Sequence, residues 1–329
     1  MDVLIRNQAF NKVRYSDDYG VIDPISYDVN IGLYGASAND FQLVLPLTKD
    51  IIPDGYFVSL GNTEYGGKIK GRLINYDRHT ITYKGRTLRG QMEHVFCNTR
   101  ATSDSFGTAA STCGEVVQEM IDATTLHGIY SVKQSPTTTL GDVVIIPAHC
   151  DLLKAFDLVL SAFGCSSVLK FDDNGVGIYI EPKKTKILQA VTLGLEVNDD
   201  RLLPTGLLGY HTEGNATENV NVYLQADGSI GTTRYYSGMD AYHVSVDIGK
   251  TANAAEALAV AKDRLRAMRN AEYLGSLESD KLDADVGDTV IVNATEYGIS
   301  VTQTVSEKVL SVAGTRQKLI ARTGGNNNG

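Results

Sequence analysis

The chain has 329 residues, 43% of them hydrophobic, which is enough for two or three domains with real cores. Its net charge of −9 excludes a chain-wide basic surface for nucleic acid. No apolar run reaches the ~18–20 residues of a membrane span, since the longest, Leu152–Phe163, is broken by Lys154, Asp157 and Ser161.

Short alternating strands dominate the first hundred residues. Phe41, Leu43 and Leu45 alternate with Gln42 and Val44 until Pro46 stops the run. Asp54-Gly55 turns into Tyr56–Leu60, Glu64–Gly67 reads as a turn cluster, and strands are expected at Ile69–Tyr76 and His79–Tyr83. Period-two alternation punctuated by Gly, Asn and Asp is the pattern of antiparallel strands. The 32 Gly and 17 Tyr fit such a turn-rich β protein. Asn98–Ser111, rich in Thr, Ser, Gly and Ala, reads as a linker.

A mixed segment follows. Thr112 with Glu115 three residues on predicts a capping box, and Val116, Val117, Met120 and Ile121 form the helix stripe up to His127-Gly128. A strand is predicted at Val143–Ile146 and a strongly apolar helix at Asp151–Phe163, closed by Gly164. Ser167–Phe171 and Val176–Ile180 flank the hairpin turn Asp172-Asp173-Asn174-Gly175. The segment ends at Pro182-Lys183-Lys184.

The last block returns to strands: Val220–Leu224 and Ser229–Tyr235 around Asp227-Gly228, then Tyr242–Ile248. A helix is predicted over Asn253–Asn270 with Leu258, Ala261, Leu265 and Met268 as its stripe. Strands at Thr289–Asn293, Ser300–Leu310 and Gln317–Arg322 follow, and the Gly/Asn tail at 324–329 reads as mobile.

Candidate chemistry is sparse. A calcium loop from Asp172 would need Glu at its twelfth position, which is Lys183. His149-Cys150-Asp151 places base, thiol and carboxylate side by side, but adjacent residues do not face one another; Asp151 reads as a helix cap and Cys150 as core. His211 with Glu213, and Asp240, Tyr242 and His243, lack a third metal ligand and read as exposed strand positions. Lys183, Lys184 and Lys186 read as a solvated loop. Cys97, Cys113, Cys150 and Cys165 show no CxxC spacing, and no secretory leader opens the chain, so the thiols are expected reduced and mostly buried. No phosphate loop, dinucleotide fingerprint or nucleophile elbow occurs, and no cofactor is expected.

Asn39-Asp40-Phe41-Gln42-Leu43-Val44-Leu45-Pro46 resembles the motif near the start of siphophage-type tail hub (baseplate hub, tail-associated) proteins. Glu64-Tyr65-Gly66-Gly67-Lys68-Ile69 is similar to the family's Gly-Gly turn, and Ile81–Leu88 to its strand, Gly, polar, Leu signature. Toward the end, Asn253–Asn270, Leu282–Val286, Gly287-Asp288-Thr289-Val290 and Gly298-Ile299-Ser300-Val301 resemble the hub's helix and Gly-Asp barrel section. The resemblance covers most of the chain.

The resemblance implies an α+β, mainly β fold: a tube-like β-barrel domain at 1–100, an α/β insert domain at 101–187, and a second tube-like barrel at 188–329. It implies a non-enzymatic virion protein of the tail tip or baseplate, made in the host cytoplasm. Three copies would form a pseudo-six-fold ring that adapts the hexameric tube to a three-fold tip. Expected partners are further copies in a homotrimer, the distal tail protein or tail tube ring, the tape measure protein, and receptor-binding or spike proteins, with DNA passing through without specific binding. Asp199, Asp200, Asp283, Asp285 and Asp288 are the candidate acidic positions at the channel or its rim, against an ordinary role as turn residues. The chain stops at Gly329 without a fibre, lysozyme or peptidase domain, which argues against carrying over a cell-wall activity. A carbohydrate- or receptor-binding module, suggested by the tyrosines, and a tail-associated cell-wall hydrolase are the alternatives.

Overall fold

The computed structural model describes residues 3–13, 24–48, 51–100, 102–172, 174–189, 203–213, 216–251, 253–270, 284–294, 299–313 and 316–324. The chain divides into two compact units: residues 1–194 with 276–323, and residues 195–275 with 324–329.

The larger unit opens with β1 (Val3–Arg6), β2 (Ser26–Gly32), β3 (Asp40–Pro46), β4 (Phe57–Leu60), β5 (Gly66–Asn75) and β6 (Thr80–Thr87). The alternation read in β3 is realised: Phe41, Leu43 and Leu45 are buried while Gln42 is exposed. One difference is instructive. Gly66 and Gly67 form no turn but lie inside β5, so close to the neighbouring strands that a Cβ on either would strike main chain. A short helix, α1 (Leu88–Met92), follows, its Thr87 cap accepting from the Gly90 amide at 3.2 Å.

The insert comprises β7 (Phe96–Asn98), β8 (Asp104–Phe106), α2 (Cys113–Asp122), β9 (Tyr130–Gln134), β10 (Val144–Ile146), β11 (Cys150–Asp151), α3 (Leu152–Ala162), β12 (Cys165–Asp172) and β13 (Gly175–Pro182). Thr112 and Glu115 make the reciprocal capping box at α2, and Asp151 caps α3 through the Lys154 amide at 2.9 Å. The predicted hairpin is present, with Asp172 opposite Gly175 and β13 also pairing β9 in parallel. The expected linker at 98–111 contains β8 and a buried Asn98, whose amide donates to the carbonyls of Thr102 and Pro147. The insert core joins the main block through Phe10, which stacks on Phe57, and Phe57, which meets Phe171 edge-on at 5.9 Å.

After β14 (Thr185–Gln189) the chain forms the smaller unit: β15 (Gly206–Glu213), β16 (Ala216–Leu224), β17 (Ile230–Gly231), β18 (His243–Lys250) and α4 (Ala254–Asn270). Its sheet order is β17-β16-β15-β18, with β15 and β18 parallel. The predicted stripe of α4 packs on it: Ala261 and Leu265 are fully buried with Leu207 and Val222.

The chain then re-enters the larger unit as β19 (Thr289–Ala294), β20 (Ile299–Ala313) and β21 (Arg316–Gly324). The resulting ten-stranded sheet runs β1-β4-β5-β6-β3-β2-β20-β19-β14, with β21 on β20. The division therefore differs from the expected boundaries at 100 and 188. The last strands of the third block, together with β14, complete the sheet of the first through the long antiparallel pair β2–β20. Alternation identifies strands but carries no information on which distant strand they pair with. The expected tail lies almost wholly outside the described residues, which end at 324.

Candidate functional site

A cleft of about 580 Å3 in the larger unit lies between the β4–β5 turn, the β12–β13 sheet of the insert, and the start of the β19–β20 segment. Three local structures build it. The turn at Asn62–Tyr65 is set by Thr63, whose hydroxyl donates to the Leu60 carbonyl at 2.6 Å, and it presents Glu64 inward. The long strand β20 carries Lys308 opposite Ile31 of β2. The turn before β19 places Asp285 and Asp288 beside Lys184.

Lys308 is the centre of the site. Its Nζ lies 2.8 Å from Glu64 and 3.0 Å from Asp285, and 5.6 Å from the centre of the Tyr65 ring. The Lys308 and Glu64 side chains are only 9% and 8% exposed. Burial works against the ammonium, yet the surrounding negative charge, Glu64 foremost, outweighs it and holds Lys308 above the usual lysine range. Burial pushes the Tyr65 phenol up to about 12. At the mouth, Lys184 reaches Glu181 at 3.1 Å and Asp285 at 3.9 Å, and the Glu181 hydrogen bond raises its pKa. A second tie joins α1 to the insert. Buried Arg89 donates to Asp157 at 3.1 Å and to the Ser167 carbonyl and hydroxyl at 3.0 and 2.9 Å.

This arrangement fixes segments rather than moving protons. An ammonium held above its ordinary range does not act as a base at neutral pH. Each carboxylate around it is engaged in the same network.

The structure distributes the candidate residues unevenly. Asp199, Asp200 and Asp283 lie outside the described residues. Asp285 belongs to the Lys308 network. Asp288 is fully buried, its two carboxylate oxygens accepting from the amides of Lys184 at 3.0 Å and Asp285 at 2.9 Å. It is a turn residue that joins β14 to the β19 segment. Lys184 is not simply solvated, being drawn into the same network. His211 is not an exposed strand position either: it is 2% exposed and paired with the Thr251 hydroxyl at 2.7 Å. His243 packs edge-on against Tyr223 across Gly206. Cys150 is core as expected, and among the described residues no three His, Cys, Asp or Glu side chains form a metal cluster. No helix among them is long and apolar enough to cross a membrane.

The Lys308 cluster was not singled out from the sequence. Its signal is parity: Lys308 shares a strand face with Leu310 and Val312, both buried, so a lysine there must find a buried counter-charge.

No protein-family model matches this sequence, and no curated protein matches it. Solved structures do. A prophage tail protein, gp18, from Listeria monocytogenes EGD-e aligns over 100% of this chain and 96% of its own, with a TM-score of 0.56 and 13% identity. The 43 kDa tail protein of prophage MuSo2 from Shewanella oneidensis aligns over 98% of both chains, with a TM-score of 0.54 and 12% identity. A tail protein from Neisseria meningitidis MC58 covers 98% of this chain and 96% of its own, with a TM-score of 0.50 and 12% identity. The chain thus has a mainly β fold of the kind seen in phage tail proteins.

Proposed function

We propose that this chain is a structural hub protein of the tail tip or baseplate of a phage or phage-derived particle. Three copies form a pseudo-six-fold ring that joins the hexameric tail tube to a three-fold tip and surrounds the DNA channel. The observation that carries this reading is the end-to-end correspondence with three tail proteins, which spans 98–100% of the chain rather than a single domain. A structural role is further supported by the character of the Lys308 cleft, whose ionisable groups tie strands together.

In this reading the ring contacts the distal tail protein or tube ring, the tape measure protein and receptor-binding or spike proteins, and it has no hydrolase activity of its own. Light scattering of the purified chain, with a map of the assembled particle, tests the ring. A stable monomer at high concentration together with a map lacking a three-fold ring refutes it. Release of reducing sugars or free amines from cell wall by the purified protein refutes the non-enzymatic part. A lumen lined mainly by Lys and Arg refutes free passage of DNA, because such contacts dominate non-specific affinity.

A receptor- or carbohydrate-binding role is the second reading, favoured by one observation. Tyr210, Tyr235 and Tyr242 of the smaller unit are 40%, 57% and 50% exposed, and wet tyrosines suit recognition surfaces. A glycan array without signal removes it.

A further inference from the structure

The four cysteines are scattered in sequence, yet two of them meet at one irregular pair of strands. β7 and β11 run antiparallel with Cys150 opposite Asn98 and Asp151 opposite Phe96, so the register shifts and Cys97 is the extra residue facing the Cys150/Asp151 step. The Cys97 sulfur lies 3.5 Å from the Cys150 carbonyl and 3.8 Å from that of Asp151. The Cys150 sulfur in turn donates to the Asp151 carbonyl at 3.4 Å, so the two thiols converge on the same carbonyl oxygen. Adjacent strands lie about 4.7–4.9 Å apart, inside the ~4.4–6.8 Å of Cα separation that a disulfide spans.

Their environments are unequal. Cys97 is half-buried and reachable from solvent, whereas Cys150 is 2% exposed. Cys150 immediately precedes Asp151, the cap of the eleven-residue helix α3. The neighbouring Cys97 thiol, the Lys154 charge and an amide at the start of α3 draw its thiol below the ordinary range, against burial and the Asp151 charge. The neighbouring Cys150 thiol and burial push Cys97 up.

We propose that Cys97 and Cys150 are a redox pair that closes to a disulfide by exchange with a small-molecule disulfide, stapling β7 to β11 at the stem of the insert. The Cys97 thiol loses its proton to water and attacks one sulfur of the small disulfide. A mixed disulfide forms on Cys97 and one small thiolate leaves. The Cys150 thiol then loses its proton to water, its thiolate attacks the Cys97 sulfur and expels the second small thiolate, and the two protons released are taken up by the two small thiolates. The protein dithiol is oxidised by two electrons and the small disulfide is reduced to two thiols. Cys113 and Cys165 are 1% and 3% exposed and belong to the same buried core, so they stay reduced in the folded chain. Resting on the tail reading, such a staple would stay open in a reducing cytoplasm and close after release into an oxidising medium. The exchange itself does not depend on that reading.

The test incubates the full-length native chain with glutathione disulfide, blocks remaining thiols, and maps the peptides by mass. The expected result is a fall from four free thiols to two, with residues 97 and 150 cross-linked and the chain lighter by two hydrogens. Cys150→Ser, or Cys150→Ala if the serine variant does not fold, leaves a stable glutathione adduct on Cys97. Cys97→Ser leaves all three remaining thiols unmodified. A stable adduct on Cys97 of the unaltered chain, equal loss of Cys113 and Cys165, or four surviving thiols overturns the proposal. None of these outcomes depends on ring formation, so failure here and failure of the hub reading are separable.

Discussion

Replacing Lys308 with alanine should damage the larger unit far more than the loss of one side chain's packing. Lys308 neutralises Glu64 at 2.8 Å and Asp285 at 3.0 Å, and Glu64 is 8% exposed. Lys308→Ala leaves the Glu64 carboxylate buried without its cation, and breaking a buried pair in this way costs about 3–5 kcal/mol. For a unit of this size that corresponds to a fall in Tm of about 6–20 °C. Glu64→Gln is milder, about 1–2 kcal/mol, since Lys308 keeps Asp285 and the amide still accepts a hydrogen bond. The double change Lys308→Met with Glu64→Leu should recover much of the loss, because no buried charge is then orphaned. The pH dependence has a definite sign. A lysine held above its unfolded value of 10.5 stabilises fully below that pH, and its contribution falls only as pH rises beyond it. The gap between wild type and Lys308→Ala should therefore stay constant from neutral pH to about 10 and shrink above. Urea unfolding followed by tyrosine fluorescence and circular dichroism measures all four proteins. A Lys308→Ala penalty below about 1 kcal/mol would show that the cluster is hydrated, and the argument from burial would fall.

Gly85→Ala should cost about 1–3 kcal/mol or more, since a Cβ there strikes the Lys68 carbonyl and the Phe41 ring; thermal melts check it. Arg89→Lys keeps the charge but cannot span both Asp157 and Ser167, so a loss of about 1.5–3 kcal/mol per bond is expected in denaturant titrations. Asp288→Asn has one acceptor oxygen for two amide donors and should lose about 1–3 kcal/mol, with faster hydrogen exchange at the Lys184 or Asp285 amide as the specific readout.

Local structure was legible wherever a short-range rule decides it. The capping box at Thr112, the cap at Asp151, the hairpin at 172–175 and the strand at Asp40–Pro46 each follow from residues within a few positions of one another. Long-range pairing was not. β2 pairs with β20 across more than two hundred and fifty positions, and nothing in the composition of either strand names the other. The Gly-Gly step illustrates the limit from the other side: glycine marks either a turn or a close approach of backbones, and only the neighbours decide. Lys308 was legible in principle, because its parity placed a charge among core positions. His211 was not, because its partner Thr251 is forty residues away.

The charge network bears on how this chain would treat DNA in the proposed ring. A wall that lets a duplex slide does not need surplus acid; it needs an absence of unpaired cations, because each free Lys or Arg adds a phosphate contact. The turn at 285–288 meets that requirement by pairing. Asp285 engages Lys308 and, at longer range, Lys184, while Asp288 receives the amides that lock Lys184 and Asp285 in place. Lys308 is buried and Lys184 also holds Glu181. The two lysines closest to these aspartates are thereby matched by three carboxylates, and the segment has little cationic charge to offer a phosphate whichever way it faces. The sequence offered these aspartates as acidic positions at the channel or its rim. Asp285 neutralises Lys308 and Asp288 anchors the turn, and in the proposed ring such neutralisation would suffice for a polyanion to slide past a wall.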